Sequence, residues 1–584
     1  MKVSQGCIAV WALLSAVGGY ASSATDSEDP SASTSTSTND NINPRVPPGC
    51  SLVMAPSSIP NSGWGVFSMV DSKVGDPIIA GDLVIQVADL NVTHASDMRR
   101  IVYDYAWNAA ETGGQYEGIN VLSVIPGIGM LANGASEEGI LPVLEPSVDE
   151  AGVTRHKSPG AGAFTHYFNY TFHFNKPLVA GNEILVNYGP GYFQMRNNQM
   201  ANEKEEDEEE GAKQPQLLHR SLESLHETGF CLDNLKPGKS TIEHAGRGAF
   251  ASRGQAKGSV VAPVPVLPIT KREAMDVTRK KQVSKKEFAE TTTKQLLTNY
   301  CYGHPKSSVL LFPYSPMVNL INHSSKRSNV RLQWSSKSQP TLEHLQDINK
   351  KPTASTDGLL LELVATEDIQ EGEEVLLDYG PEWQAAWEKH VKQWEPYPFE
   401  YAPGYVLDEA VPVLGTQEEV QGSKPYPPNL LTSCFYPYVH PETKPSEGED
   451  DEKNDPTRNI TSAEWRHMPG IFELRNLRPC TIMQRYEVEK DKDSSSGDSE
   501  DPSNFYYTVV IRNRYGLAPQ ERILPGQMHV VTRVPRRAIR FTDKVYTTDQ
   551  HLQNAFRKEI GLSDELFRNW MDLDGKSDSE EKDL

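Results

Sequence analysis

Three short motifs between residues 246 and 380 hold side chains suited to chemistry. Gly246-Arg247-Gly248-Ala249-Phe250 comes first and Asn322-His323-Ser324 second. Gly372-Glu373-Glu374, leading to Asp378-Tyr379-Gly380, comes third. Gly246 and Gly248 lack a Cβ, so the backbone there can approach a bulky ligand closely. Asn322, His323 and Tyr379 supply hydrogen-bonding side chains. Glu373 and Glu374 read as surface turn residues, and Asp378 as a strand-end or turn residue. A lone Gly-x-Gly or Asn-His-Ser says little. The ordered set is specific.

The set occurs twice. Gly63-Trp64-Gly65-Val66-Phe67, Asn133-Gly134 and Gly181-Asn182-Glu183 running to Asn187-Tyr188-Gly189-Pro190 form an earlier copy. The second glycine of the first motif lies 68 residues before the middle Asn in copy one and 74 in copy two. From that Asn to the Tyr the separations are 55 and 57. Equal order and near-equal spacing indicate a duplicated domain. The expected organisation is a leader at 1–24, a spacer at 25–48, a first copy at 49–196 and an acidic linker at 197–227. The second copy follows at 228–395, then a C-terminal α+β region at 396–575 and an acidic tail at 576–584.

The elements that must position these motifs are mostly strands. Val84–Ala88, Ser259–Ala262 and Val375–Leu377 are short apolar runs bounded by Gly, Pro or Asp. Lys271–Leu297, free of Pro and Gly, reads as a helical insertion in the second copy. Pro381–Trp394 reads as a helix with Pro as its start signal. Trp383, Trp387, Val391 and Trp394 give it one apolar stripe, for packing on the preceding domain or as a substrate-facing aromatic surface. The fold class is α+β, predominantly β. In the C-terminal region Tyr506–Ile511, His529–Thr532 and Ala538–Phe541 read as strands. Thr548 caps an expected helix through Ile560, and Ser563 caps another.

These motifs resemble the SET domain of protein lysine methyltransferases. Copy two holds the whole pattern, with Asn329 shortly after Asn-His-Ser; with both copies the resemblance covers about 60% of the chain. The resemblance implies S-adenosyl-L-methionine as cofactor and a protein with a target lysine as substrate. It implies that Gly246, Arg247, Gly248 and Ala249 lie along the cofactor and that Asn322 and His323 hold its polar end. Tyr379 becomes the catalytic residue, its hydroxyl orienting the amine beside the transferring methyl. The cysteine-rich segment that often follows such domains is missing, so the Trp383–Trp394 helix is expected to close the site. Copy one departs from the pattern. Its Asn133 is followed by Gly134 and Ala135, Asn187 replaces Asp, and Trp64 stands between the glycines. It is expected to be degenerate, with a structural or substrate-docking role.

Composition bounds the partners. The net charge is −22, which argues against a nucleic-acid backbone as partner. The acid gathers at Glu203–Glu210, Glu447–Asp455, Lys490–Asp501 and the end of the chain, as in solvated linkers. The basic cluster Arg533–Arg540 reads as a solvated strand face. Lys2, an apolar stretch from Cys7 to Ala21, and small residues Ser22, Ser23 and Ala24 have the layout of a secretory signal peptide. No later stretch is long and apolar enough to span a membrane. Asn91, Asn169 and Asn459 begin glycosylation sequons. The terminal Glu581-Lys582-Asp583-Leu584 is close to a retrieval signal of the endoplasmic reticulum without matching it. The cysteines show no zinc-type spacing, so no metal is expected. One or two disulfides are open among Cys50, Cys231, Cys301, Cys434 and Cys480.

The reading from sequence is therefore a lysine methyltransferase acting through its second SET domain, in the secretory pathway. It is nuclear or cytosolic if the signal is not used. Two alternatives stand beside it: a non-catalytic SET-fold interaction protein and a secretory-pathway structural glycoprotein.

Overall fold

A computed structural model of the chain describes residues 45–59, 62–88, 105–108, 121–135, 142–146, 156–164, 168–188, 219–283, 286–336, 359–397, 402, 404–436, 460–472, 476–487, 505–512, 528–543, 552 and 554–568. The expected signal peptide, the acidic runs, Asn91, Asn459 and Thr548 lie outside these residues. Strand dominates what is described.

The largest sheet has eight strands. In spatial order they are Asn322–His323, Leu376–Leu377, Val330–Trp334, Leu360–Ala365, Val260–Ile269, Leu310–Pro313, Tyr302–Gly303 and Ile560–Gly561. Val260–Ile269 is buried throughout yet holds Pro263, Pro265 and Pro268. A proline cannot donate to a ladder and is normally excluded from a central strand. This strand tolerates three because it changes partner midway. Val260–Pro265 pair with Leu360–Val364, and Val266–Ile269 pair with Leu310–Pro313.

The two segments that carry the repeated motifs are interlocked. Leu52–Pro56 pairs with Trp64–Ser68 as a hairpin, and Leu235–Lys239 pairs with Arg247–Ala251 in the same register. Phe230–Cys231, at the start of the second copy, adds to the first copy's sheet through Met54 and Val53. A Cys50–Cys231 disulfide ties the same place. Asp233 lies beside these sulfurs, but its carboxylate is taken by Arg253 at 2.8 Å. Arg45 reaches Glu362 in the second copy at 3.0 Å. One continuous apolar core runs from Leu52 and Ile85 through Val264 and Leu361 to Ile560 and Phe567. Such burial contributes roughly 25 cal/mol per Å² of apolar surface, so the halves stabilise each other.

A separate core lies within a six-stranded sheet built from Leu430–Phe435, Ile460–Glu464, Leu477–Glu487, Phe505–Arg512, Met528–Pro535 and Ile539–Asp543. It includes the three strands expected there and is cross-linked by Cys434–Cys480. Arg536, assigned to a solvated face from sequence, is instead buried. Its guanidinium donates to the carbonyls of Ile539 and Val411 and meets Asp408.

Two further expectations are corrected. Lys271–Leu297 is not a helical insertion. Asp276–Val283 and Lys286–Lys294 form an antiparallel hairpin between short 3-10 turns at Arg272–Met275 and Leu296–Tyr300. Its register sets Asp276 opposite Lys294, and this pair closes at 3.1 Å. Opposite charges facing across a strand pair favour the hairpin. The expected helix ending at Ile560 is also absent among the described residues. Backbone N–H groups there donate elsewhere, Lys558 to Asn299 Oδ1 and Ile560 to the Cys301 carbonyl. The helix after Ser563 is present over 564–568.

Candidate functional site

Glu374 organises the motifs. It is buried, and its carboxylate accepts from the Ser240 hydroxyl at 2.6 Å and the Thr241 amide at 2.7 Å. Asn322 Nδ2 donates to Ser240 Oγ at 3.1 Å, to the Arg247 carbonyl at 2.8 Å and to Glu374 at 3.4 Å. Asn329 adds a second tie, donating to the Glu374 carbonyl and accepting from the Leu376 amide, both at 2.9 Å. Glu374 is thus no surface turn residue. Its buried carboxylate ties Ser240 and Thr241, in the turn just ahead of the first motif, to Asn322 of the second. Glu373, in contrast, is exposed and Asp378 caps the Gly380 amide at 2.9 Å as a turn residue does.

The glycines make room for protein. A Cβ on Gly248 would run into the Glu374 carboxylate, and one on Gly246 would come within 2.6 Å of the Phe164 ring. Gly246 also has φ +70°, a left-handed conformation costly to other residues. Ala249 is fully buried in its strand.

Tyr379 sits at the end of the third motif. Its hydroxyl donates to the Ile321 carbonyl, and its amide donates to His323 Nδ1 at 2.9 Å. With Nδ1 accepting, His323 carries its proton on Nε2 and donates to Gln384 Oε1 at 2.5 Å. Both ring nitrogens are therefore committed to the protein, and only the backbone of His323 is left for a ligand. Burial pushes the Tyr379 hydroxyl well above its ordinary pKa, with Tyr300 nearby reinforcing the shift. It stays protonated at any physiological pH.

These groups line a cavity of about 470 Å³, within the range of small-molecule sites. Arg247, Asn322, His323 and Tyr379 reach its wall; Gly246 lies between two lining residues, while Gly248 and Ala249 do not line it. The helix Pro381–Gln393 starts after Gly380, at φ 88°, with Pro at its first position. It turns Trp383 and Trp387 onto the cavity. The Trp383 ring lies 4.8 Å from His323 and 5.0 Å from Tyr379. Other lining residues have no motif to announce them: Tyr300, Tyr302, Phe164, Phe556 and Ile560 come from distant parts of the chain.

Copy one keeps the same scaffold. Asn133 Nδ2 donates to Ser57 Oγ at 3.0 Å, the Trp64 carbonyl at 2.9 Å and Glu183 at 3.0 Å. Ser57 and the Ser58 amide donate to Glu183, each at 2.7 Å. The Tyr188 hydroxyl donates to the Ala132 carbonyl at 2.6 Å, as Tyr379 does to Ile321. Gly134 stands in the place of His323. A Cβ there would overlap the Tyr188 ring. Trp107 packs 6.0 Å from that ring.

Comparison with known families matches residues 246–380 to the SET domain. Among solved structures, a Plasmodium falciparum chain described as a candidate histone methyltransferase is similar at 20% identity. It covers 26% of this chain and 96% of its own, with a TM-score of 0.17. The Chaetomium thermophilum polycomb repressive complex 2 is similar at 20% identity over 27% of this chain, with a TM-score of 0.17. A polycomb repressive complex 2 in an autoinhibited conformation bound to S-adenosylmethionine is similar at 17% identity over 27%, also at 0.17. The match spans 18% and 17% of those two chains. No curated protein matches.

Proposed function

We propose, from the premise that residues 246–380 of this chain are a SET domain, that the protein is an S-adenosylmethionine-dependent protein lysine methyltransferase working through its second copy. One observation carries this reading. A single cavity collects Arg247, Asn322, His323 and Tyr379 from separated segments onto one wall.

The cavity has room for the cofactor, and its lining combines apolar and aromatic walls with polar and charged groups, among them Glu243, Arg247, Asn322 and Arg327. When bound, S-adenosylmethionine supplies an electrophilic methyl group on a positively charged sulfonium. The chain's own residues supply position and dryness. The Asn322–Glu374 knot fixes the start of the strand that carries Arg247. Tyr379, still protonated, donates to the Ile321 carbonyl, and its oxygen keeps lone pairs to accept from a substrate amine. A lysine amine has an ordinary pKa of ~10.4. Burial against Tyr300, Tyr302 and Ile560 favours its neutral, nucleophilic form. Holding amine and methyl donor in line accounts for much of the rate, since effective molarities reach ~10⁵–10⁸ M.

Copy one is read as a scaffold without turnover. The Tyr188 ring over Gly134 supports that reading, because it fills the space a histidine would need. The two disulfides support a secretory, oxidising location. Calorimetry of S-adenosylhomocysteine with the full chain tests the enzyme reading. Saturable binding is expected, and a folded chain that binds none overturns it.

A further inference from the structure

The cavity is not closed by the SET domain alone. From the first copy, segment 156–164 crosses onto the glycine loop. Ser158 Oγ meets His244 Nδ1 at 2.9 Å, and the Phe164 ring lies against Gly246. From far downstream, Phe556 packs across the stacked Trp383 and Trp387 rings, at 5.3 and 5.1 Å, edge-on to both. Ile560–Gly561 then joins the SET sheet beside Tyr302–Gly303, and the Gly561 amide donates to the Tyr379 carbonyl at 3.0 Å.

Two side chains staple these segments together. Arg557 donates to the Gly162 carbonyl at 2.6 Å, to the Phe556 carbonyl at 2.8 Å and to the Lys294 carbonyl at 3.0 Å. Asn299 Nδ2 donates to the Ala163 carbonyl at 2.7 Å and to the Phe556 carbonyl at 2.8 Å. Each staple joins the first copy, the SET domain and the downstream segment. Phe164, Ala163, Phe556 and Ile560 all line the cavity.

We propose that the cofactor site is composite. Phe164 of the first copy and Phe556 of the downstream segment are binding residues that wall the bound cofactor from water, and Arg557 is the positioning residue that holds both in place. The degenerate copy thereby contributes to binding, because it builds part of the second copy's pocket. Segment 554–562 does the closing that the sequence assigns to the Trp383–Trp394 helix alone. The proposal rests on the methyltransferase reading, and the test separates the two.

The full chain is titrated with S-adenosylhomocysteine as wild type and as Phe164→Ala, Phe556→Ala and Arg557→Ala. Each variant is expected to lose affinity by about tenfold or more, as removal of a buried aromatic wall implies. Phe164→Leu and Phe556→Leu, which keep apolar volume, fall between. Arg557→Ala should also change tryptophan emission as Phe556 leaves Trp383 and Trp387, and saturating ligand should reverse that change. A purely structural role for Arg557 lowers the unfolding free energy but leaves the affinity of the folded chain, measured well below its unfolding midpoint, unchanged. Hydrogen exchange on the wild-type chain avoids any folding defect of the variants. The ligand should protect amides in 160–164 and 558–562. Wild-type binding with unaltered variants, or without protection of those amides, overturns the composite site while leaving the enzyme reading in place. A wild-type chain that does not bind removes both.

Discussion

The Tyr379 hydroxyl donates to the carbonyl of Ile321, one residue before Asn322. This bond joins the third motif to the second at the cavity wall. Tyr379→Phe keeps the ring against His323 and Trp383 and removes only the oxygen. Turnover on a protein substrate should fall by about 10²-fold or more, as for a lost acid–base or orienting group. Affinity for S-adenosylhomocysteine should hardly change. A variant as fast as wild type takes Tyr379 out of its role.

Asn133 and Asn322 are structural twins with different duties. Each amide holds a serine, a main-chain carbonyl and a buried glutamate. Alanine at either position leaves those acceptors unmatched and should cost about 1–3 kcal/mol in denaturant unfolding. Asn322→Ala should also abolish tight cofactor binding. Asn133→Ala should leave it near wild type once the chain is folded. Equal loss of binding in both would contradict the assignment of chemistry to copy two.

Acid should loosen the site through His390. Its Nε2 donates to the Pro159 carbonyl at 2.9 Å, and burial, with the Arg557 charge nearby, holds its pKa below the ordinary value. The unfolded chain therefore takes up a proton before the folded one does. Stability from this site is present above the unfolded histidine pKa, near 6.5, and is lost as pH falls through it. His390→Gln should flatten that part of the stability profile, measured by urea unfolding between pH 5 and 8. An unchanged slope counts against His390 as its source.

The cysteines offer a chemical test. Cys301 is fully buried, and burial pushes its thiol well above the ordinary range. It should resist alkylation until the chain unfolds. Non-reducing peptide mapping should recover Cys50–Cys231 and Cys434–Cys480. Replacing Cys50 and Cys231 with alanine opens a loop of 181 residues and should cost about 2–5 kcal/mol. Rapid labelling of Cys301 in the native state would contradict the packing around it.

The motifs are legible in sequence because each is contiguous and lies at a strand end or tight turn. Order and spacing then place Asn322, His323 and Tyr379 together. Glu374 is misread because its partners Ser240 and Asn322 lie 134 and 52 residues away. One signal was present: Glu183 holds the equivalent place in the first copy. Lys271–Leu297 looks helical because it lacks Pro and Gly, whereas Asp276 and Lys294 pair across the two strands of a hairpin. The apolar spacing of Leu552, Phe556 and Ile560 mimics a helix face, but those side chains serve an extended segment docked on Tyr302. Phe164 and Phe556 belong to no motif. Their place in the cavity follows only from tertiary contacts that no local pattern encodes.

The docking of Ile560–Gly561 beside Tyr302–Gly303 sets a timetable for biosynthesis. A ribosome adding about 5–20 residues per second completes the SET motifs and must then make roughly 180 further residues before Phe556 exists. During that interval the nascent chain carries its whole SET motif set with one wall of its pocket missing. On the proposed composite site, cofactor binding would begin only after the downstream segment had been made and had folded back. A nascent or prematurely stopped chain would remain silent.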